Sequence, residues 1–212
     1  MKKILLLAAT ALIVERASAQ LSIAPEIGVQ MTNQAVNSDS SASGDMKTGF
    51  RAGVNLGLGL TKKINLHAGV FYSVKGSQEE TFGIKAKSIF NYIEIPVYIN
   101  YNVVSFGGNE LFVGVGPYVA YCLNAKAKIK GSFLGQSFDE DMELPVGNDE
   151  TTDAVKPLDF GANANIGFVT KIGLYARAHY SLGLANIVTG GDSDNSIKNN
   201  GFGLSVGYQI RF

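Results

Sequence analysis

From Leu21 to Phe212 apolar and polar residues alternate with a period of two, in runs of about ten residues broken by polar, glycine-rich or charged stretches. That period marks strands with two unlike faces, and runs of this length suit tilted strands that cross a bilayer. The runs are Leu21 to Met31, Gly49 to Leu60, Ile64 to Val74, Ile89 to Val103, Leu111 to Leu123, Phe160 to Phe168, Leu174 to Leu184 and Phe202 to Phe212. One face is almost wholly apolar, as in Leu111, Val113, Val115, Val119, Tyr121 and Leu123. The other carries Ser22, Glu26, Gln30, Arg51, Asn55, Asn65, His67, Glu94, Asn163, Asn165, Arg177, His179, Gln209 and Arg211, with glycines such as Gly53, Gly116 and Gly203 between them.

This second face is too rich in glycine and too lightly charged for a solvent surface, but small and polar residues suit the narrow interior of a small barrel. The apolar face would then meet lipid. The connections point the same way. Thr61 to Lys63, Val104 to Glu110 and Thr170 to Gly173 are short; Thr32 to Met46, Gly76 to Ala86, Ala125 to Leu158 and Val188 to Asn199 are long. Short and long alternate strictly, as periplasmic turns and extracellular loops do in bacterial barrels. The pattern predicts an all-β fold, an eight-stranded antiparallel transmembrane β-barrel with short periplasmic turns and longer extracellular loops.

Aromatic positions agree. Phe50, Tyr72, Tyr121, Phe160 and Phe202 fall near the outer strand ends, and Tyr101, Phe168, Tyr208 and Phe212 near the periplasmic ends, as two interfacial girdles. Pro25, Pro96 and Pro117 lie inside runs. Each should forfeit a ladder hydrogen bond, but the parity continues through Pro96 and Pro117, so no bulge is expected there.

The N-terminus reads as a segment to be removed. Lys2 and Lys3 precede an apolar run from Ile4 to Val14, and Ala17-Ser18-Ala19 supplies a small-x-small cleavage pattern. The run is short of the roughly 20 residues a spanning helix needs. The expected organisation is a cleaved signal peptide over 1–19 and one barrel domain over 20–212, destined for the bacterial outer membrane. The whole chain has 18 basic and 18 acidic residues. Loss of Lys2, Lys3, Arg16 and Glu15 leaves a near-neutral domain, with no electrostatic case for nucleic acid. Cys122 is the one cysteine, which excludes an internal disulfide. Zinc-type Cys/His spacing, a P-loop, a dinucleotide fingerprint and a Gly-x-Ser-x-Gly elbow are all missing from the sequence.

The stretches GFRAGVNLGLGL, FYSVKG, NYIEIPVYINY, GVGPYVAYCL, DFGANANIGF and HYSLGLANI, with a terminal Phe212, resemble the small outer-membrane β-barrel proteins of Bacteroidetes, the PorT-like group. The Ile-Glu-Ile-Pro and Gly-Pro-Tyr blocks are the most specific parts. The resemblance implies an integral outer-membrane barrel and no single activity, although a namesake member takes part in protein secretion. Tyr208, Ile210 and Phe212 also resemble the C-terminal signal read by barrel-assembly machinery.

By parity Glu26, Arg51, Glu94, Arg177 and Arg211 share the interior, where unpaired charges would cost several kcal/mol each. A structural pairing network is expected, and a selectivity filter is the sharper alternative. His67 and His179 also point inward, low and mid-barrel, and the sequence pairs neither with an evident nucleophile. Cys122 should be a small packed residue. The third long loop holds Asp139, Glu140, Asp141, Glu143, Asp149, Glu150 and Asp153, and the fourth Asp192, Asp194 and Asn195. Such oxygens can bind calcium, but neither set follows the EF-hand pattern. The alternation Lys126, Lys128, Lys130 suggests that the fifth strand continues outward as a hairpin, within reach of lipopolysaccharide phosphates. The segment from Pro145 to Glu150 should be unpacked and open to protease.

No catalytic, cofactor or metal site is expected. The leading expectation is a structural or interaction barrel that presents its loops. Its expected partners are outer-membrane lipid, lipopolysaccharide, the assembly machinery and other envelope proteins. The alternatives are a narrow pore for small solutes or an accessory component of outer-membrane secretion.

Overall fold

The computed structural model describes residues 21–37, 42–133, 136–192 and 195–212. The segment 1–19 and Asp194 lie outside them. In chain order the strands are β1 (Leu21–Asn37), β2 (Ala42–Ser43), β3 (Asp45–Gly59), β4 (Ile64–Lys75), β5 (Ser77–Thr81), β6 (Ile84–Phe106), β7 (Asn109–Phe133), β8 (Gln136–Leu144), β9 (Leu158–Val169), β10 (Leu174–Gly183), β11 (Ser196–Tyr208) and β12 (Ile210–Arg211). The predicted runs map onto β1, β3, β4, β6, β7, β9, β10 and β11 with β12. These pair antiparallel in sequence order, and β1 pairs with β3 on one side and β11 and β12 on the other, so the ring closes. Closure pairs the edges of the eight ring strands with one another, which a sheet in hydrocarbon requires.

The two faces sort as the alternation predicts. Val115 is 63% exposed and Val113 and Val119 of the same face are exposed too, whereas Gln30, Arg51, Asn55, Glu94 and Arg177 are buried inside. Phe50 packs on Tyr72 in the outer aromatic band, with ring centroids 5.6 Å apart. The prolines also behave as expected. The β6–β7 ladder skips from Pro96↔Tyr118 to Ile99↔Val115, opposite Pro117, and resumes in the same register.

Gly116 stands at this gap. A Cβ there would sit 1.8 Å from the carbonyl oxygen of Val97, so the bare backbone is what lets the two strands approach. Parity alone makes Gly116→Ser look mild, because the side chain would point inward; the contact with backbone reverses that expectation. Gly116→Ser should cost about 1–3 kcal/mol by overpacking. Unboiled protein on a gel should show a reduced folded fraction, and unchanged folding would mean that the strands part there without cost.

The strand ends depart most from the sequence reading. β6 and β7 run far past the membrane, and β5 and β8 pair onto their extensions as an outer sheet in the order β5-β6-β7-β8. A register shift between Asn91/Tyr92 makes Leu123 an extra residue on β7. The bulge reverses the side-chain parity. Cys122 points in, but Lys126, Lys128 and Lys130 point to the outer surface, beside Lys85 and Lys87 of β6. The hairpin acids are committed to these lysines: Lys126–Glu143 at 3.2 Å, Lys128–Asp141 at 2.5 Å and Lys130–Asp139 at 2.5 Å. Asp139, Asp141 and Glu143 therefore form ion pairs rather than a converging oxygen cluster.

The segment beyond β8 is also more ordered than expected. Gly147 donates to Val155 O at 2.9 Å, and Ala154 to Pro145 O at 2.9 Å. This folds Val155 down beside Ile187, onto Phe90, Tyr92, Tyr118 and Cys122. The apolar residues Leu144, Val146 and Ile197 complete a lid over the outer mouth. Pro145 to Glu150 is thus tied into a packed cap, although Asn148 to Glu150 remain exposed on its outer surface.

Candidate functional site: a buried charge ladder

Beneath that lid the lumen is crossed by alternating charges. Arg177 lies 3.5 Å from Glu26, Glu26 3.6 Å from Arg51, Arg51 3.5 Å from Glu94, Glu94 2.8 Å from Lys75, and Lys75 3.5 Å from Asp159. Three cations and three anions alternate, and each side chain is at most 4% exposed.

The register explains the gathering. Starting at Tyr175, one line of paired residues runs through Gly207, Glu26, Gly53, Phe71, Glu94 and Ala120 to Asp159. All three acids stand on this line. The next line up holds Arg177, Ser205, Gly28, Arg51 and Ser73. Arg177 and Arg51 therefore stand one step from the acids and Lys75, opposite Phe90, one step further, and the glycines between large side chains leave room for them to turn toward each other.

Neutral groups complete the ladder. Glu26 Oε2 accepts from Asn55 Nδ2 at 2.7 Å and from the Tyr175 hydroxyl at 2.7 Å. Asp159 accepts from Tyr118 at 3.3 Å and from Asn199 at 3.1 Å. Arg51 stacks 3.6 Å above the Phe71 ring, and Lys75 lies 4.3 Å from the centre of the Tyr118 ring. Charges in a poorly hydrated lumen need partners of this kind, because desolvation otherwise exceeds the attraction.

Of the five charges expected inside, four come together: Glu26, Arg51, Glu94 and Arg177. Arg211 does not join them. It sits opposite Ser22, four residues below Glu26 along the same neighbouring strand, or roughly 13 Å away at the usual rise per residue. There Arg211 Nη1 donates to Glu110 Oε1 at 2.8 Å at the half-exposed periplasmic mouth. Arg211→Ala should therefore cost less than about 1 kcal/mol in a lipid-bilayer unfolding assay. A loss as large as that from a buried ladder residue would contradict this placement.

Two ladder members, Lys75 and Asp159, were not anticipated, although each continues the inward parity of its strand by one more step. His179 is buried mid-barrel, and its Nδ1 has no hydrogen-bond partner among the described residues; His67 is half-buried near the periplasmic mouth. Cys122 is a packed residue of the apolar lid. At the C-terminus Tyr208, Ile210 and Phe212 all face outward, and the Phe212 N–H donates to Leu21 O at 2.9 Å, tying the last residue to the first strand.

A closed eight-stranded ring with an apolar outer wall, a polar interior crossed by paired charges and loops grouped at one end defines an outer-membrane β-barrel. The family described as "Outer membrane protein beta-barrel domain" matches residues 15–189, and the chain belongs to it. Its location is the bacterial outer membrane. Among solved structures the chain is similar to Ail, the attachment invasion locus protein of Yersinia pestis, at 14% identity, TM-score 0.46, with 92% of this chain and 100% of that one covered. It is also similar to Neisserial surface protein A at 13% identity, TM-score 0.43, covering 90% and 97%. The N-terminal β-barrel domain of Pseudomonas aeruginosa OprF follows at 14% identity, TM-score 0.33, covering 87% and 97%. No curated protein matches the chain.

Proposed function

We propose that this barrel is a non-conducting outer-membrane anchor whose role is interaction through its extracellular sheet, and that it is not an enzyme. The observation that carries the reading is the closed lumen. The six-charge ladder and the apolar lid of Val155 and Ile187 fill the passage in series, while the β5-β6-β7-β8 sheet projects beyond the lipid. Planar-bilayer recording of the purified protein should show no large, stable openings. Ion-selective openings of that kind would promote the alternative reading, a narrow pore for small solutes.

The outer sheet suggests the first partner. Lys85, Lys87, Lys126, Lys128 and Lys130 share the outward face directly above lipid-facing residues such as Tyr121. Four of them are paired with Glu80, Glu143, Asp141 and Asp139, so in our reading it is Lys87 that makes the direct approach to the phosphates of lipopolysaccharide and sets the depth of the barrel. Other envelope proteins would meet the outer edge of β8, which among the described residues pairs with β7. The outward-facing Tyr208, Ile210 and Phe212 would be presented to the assembly machinery. The blocks quoted above support a place in the PorT-like Bacteroidetes group, and that resemblance alone motivates an accessory role in secretion. Residues 1–19 would direct export and be removed, leaving 20–212 as the mature domain.

A further inference from the structure

The periplasmic end differs from the outer end in being open. A cavity of about 380 Å³ runs inward from the exposed turn residues Thr61 and Lys62 to Asn100, which is 1% exposed. That volume lies at the small end of the range of ligand sites.

The rim of this cavity is a collar of hydrogen bonds. Asn65 Nδ2 donates to Asn102 Oδ1 at 3.2 Å, and Asn102 Nδ2 to Glu110 Oε2 at 3.2 Å. Arg211 donates to Glu110 at 2.8 Å and to Gln209 Oε1 at 3.3 Å, and Gln209 Nε2 to Ser22 Oγ at 3.0 Å. The collar spans β4, β6, β7, the C-terminal end and β1, so these side chains hold one another in place. Its one anion and one cation are spent on each other.

Inside the collar the balance changes. Asn100 accepts from Asn165 at 3.3 Å, but its own Nδ2 has no acceptor among the described residues. A buried amide donor without a partner costs about 1–3 kcal/mol. Phe112 and Val169 supply an apolar wall beside it, and His67 a second polar one.

We propose that this vestibule is a binding site for a neutral saccharide bearing acetamido groups. A carbonyl oxygen would take the free Asn100 donor, the acetamido methyl and a sugar C–H face would lie on Phe112 and Val169, and hydroxyls would exchange with the amides of the collar. Within the collar a charged ligand would find its counter-charge already paired, Glu110 with Arg211, and Lys62 lies outside it on the exposed turn. The site faces the periplasm, away from the sheet assigned to interaction, so its failure would leave that assignment untouched.

The test is an NMR titration of the folded full barrel in nanodiscs with N-acetylglucosamine and its β-1,4-linked dimer, beside unacetylated glucosamine and trialanine. The acetylated sugars should give saturable shifts confined to the periplasmic end. Asn100→Leu should weaken binding about tenfold, as expected for a lost hydrogen bond to a buried donor. His67→Ala removes a half-buried wall, so it should fold normally and weaken binding as well. Absence of saturable shifts, equal binding in both variants, or tighter binding of glucosamine or trialanine would overturn the proposal.

Discussion

Replacing Glu94 by Ala is expected to destabilise the folded barrel by about 3 kcal/mol, the low end of the cost of breaking a buried ion pair. Glu94 is the one acid that bridges Arg51 and Lys75, at 3.5 and 2.8 Å. Its removal leaves three buried cations facing two anions. Each orphaned cation keeps one partner, Glu26 for Arg51 and Asp159 for Lys75, which is why the full range is not reached. The double variant with Lys75→Ala restores the charge balance and should lose less than the two single losses added together. Reversible urea unfolding in lipid bilayers measures all three. A Glu94→Ala loss below 1 kcal/mol, or strict additivity, would mean that water reaches the ladder and screens it.

Val115→Arg should cost roughly 2–4 kcal/mol, the penalty for a basic side chain near the bilayer midplane. Val115 lies midway along the lipid-facing part of β7, opposite Ile99 on β6 and Ala164 on β9. An arginine there has the longest path to either interface. The same substitution at a strand end should cost about 1 kcal/mol or less, because the side chain can reach the interface. The same unfolding assay reads both, and equal costs at the two depths would place the apolar face outside hydrocarbon.

The barrel was legible in the sequence because lipid on one side and a tight lumen on the other impose period-two contrast on every strand. Val113 and Val115 face out, and the alternate positions Gly114 and Gly116 face in. The ladder was legible only in part. Parity reports which face a residue takes, but height and partner depend on register, which no single strand encodes. Arg211 shares the parity of Glu26 and still lies four residues below it. Lys75 and Asp159 were missed because Lys75 follows the last apolar residue of its run and Asp159 precedes the first. Carrying the alternation one step further, from Ser73 to Lys75 and from Gly161 back to Asp159, finds both.

The outer end was the least legible. The bulge at Leu123 breaks the alternation without any sequence mark such as glycine, and it decides that Lys126, Lys128 and Lys130 face outward. Pro145 to Glu150 looked unpacked because its own residues are small or acidic. Its order comes from Val155, ten residues downstream of Pro145, which folds back to the apolar lid. At Gly116 the interior position was read correctly, but the nearness of the Val97 carbonyl is a property of the paired strands together.

The ladder also constrains the order in which the barrel can be built. Glu26 stands beside the seam where the first and last strands meet, with Arg51 reached through β3 and Arg177 through β11 and β10. A hairpin from the N-terminal half can satisfy one side of Glu26 early, but the other side waits for nearly the whole chain to arrive. Until the ring zips shut, a partly inserted sheet would hold an incompletely compensated carboxylate on one edge strand and a guanidinium near the other. Insertion and closure are thereby coupled into one cooperative event, and the slow long-range pairing of β1 with β11 becomes the step that commits the protein to the membrane.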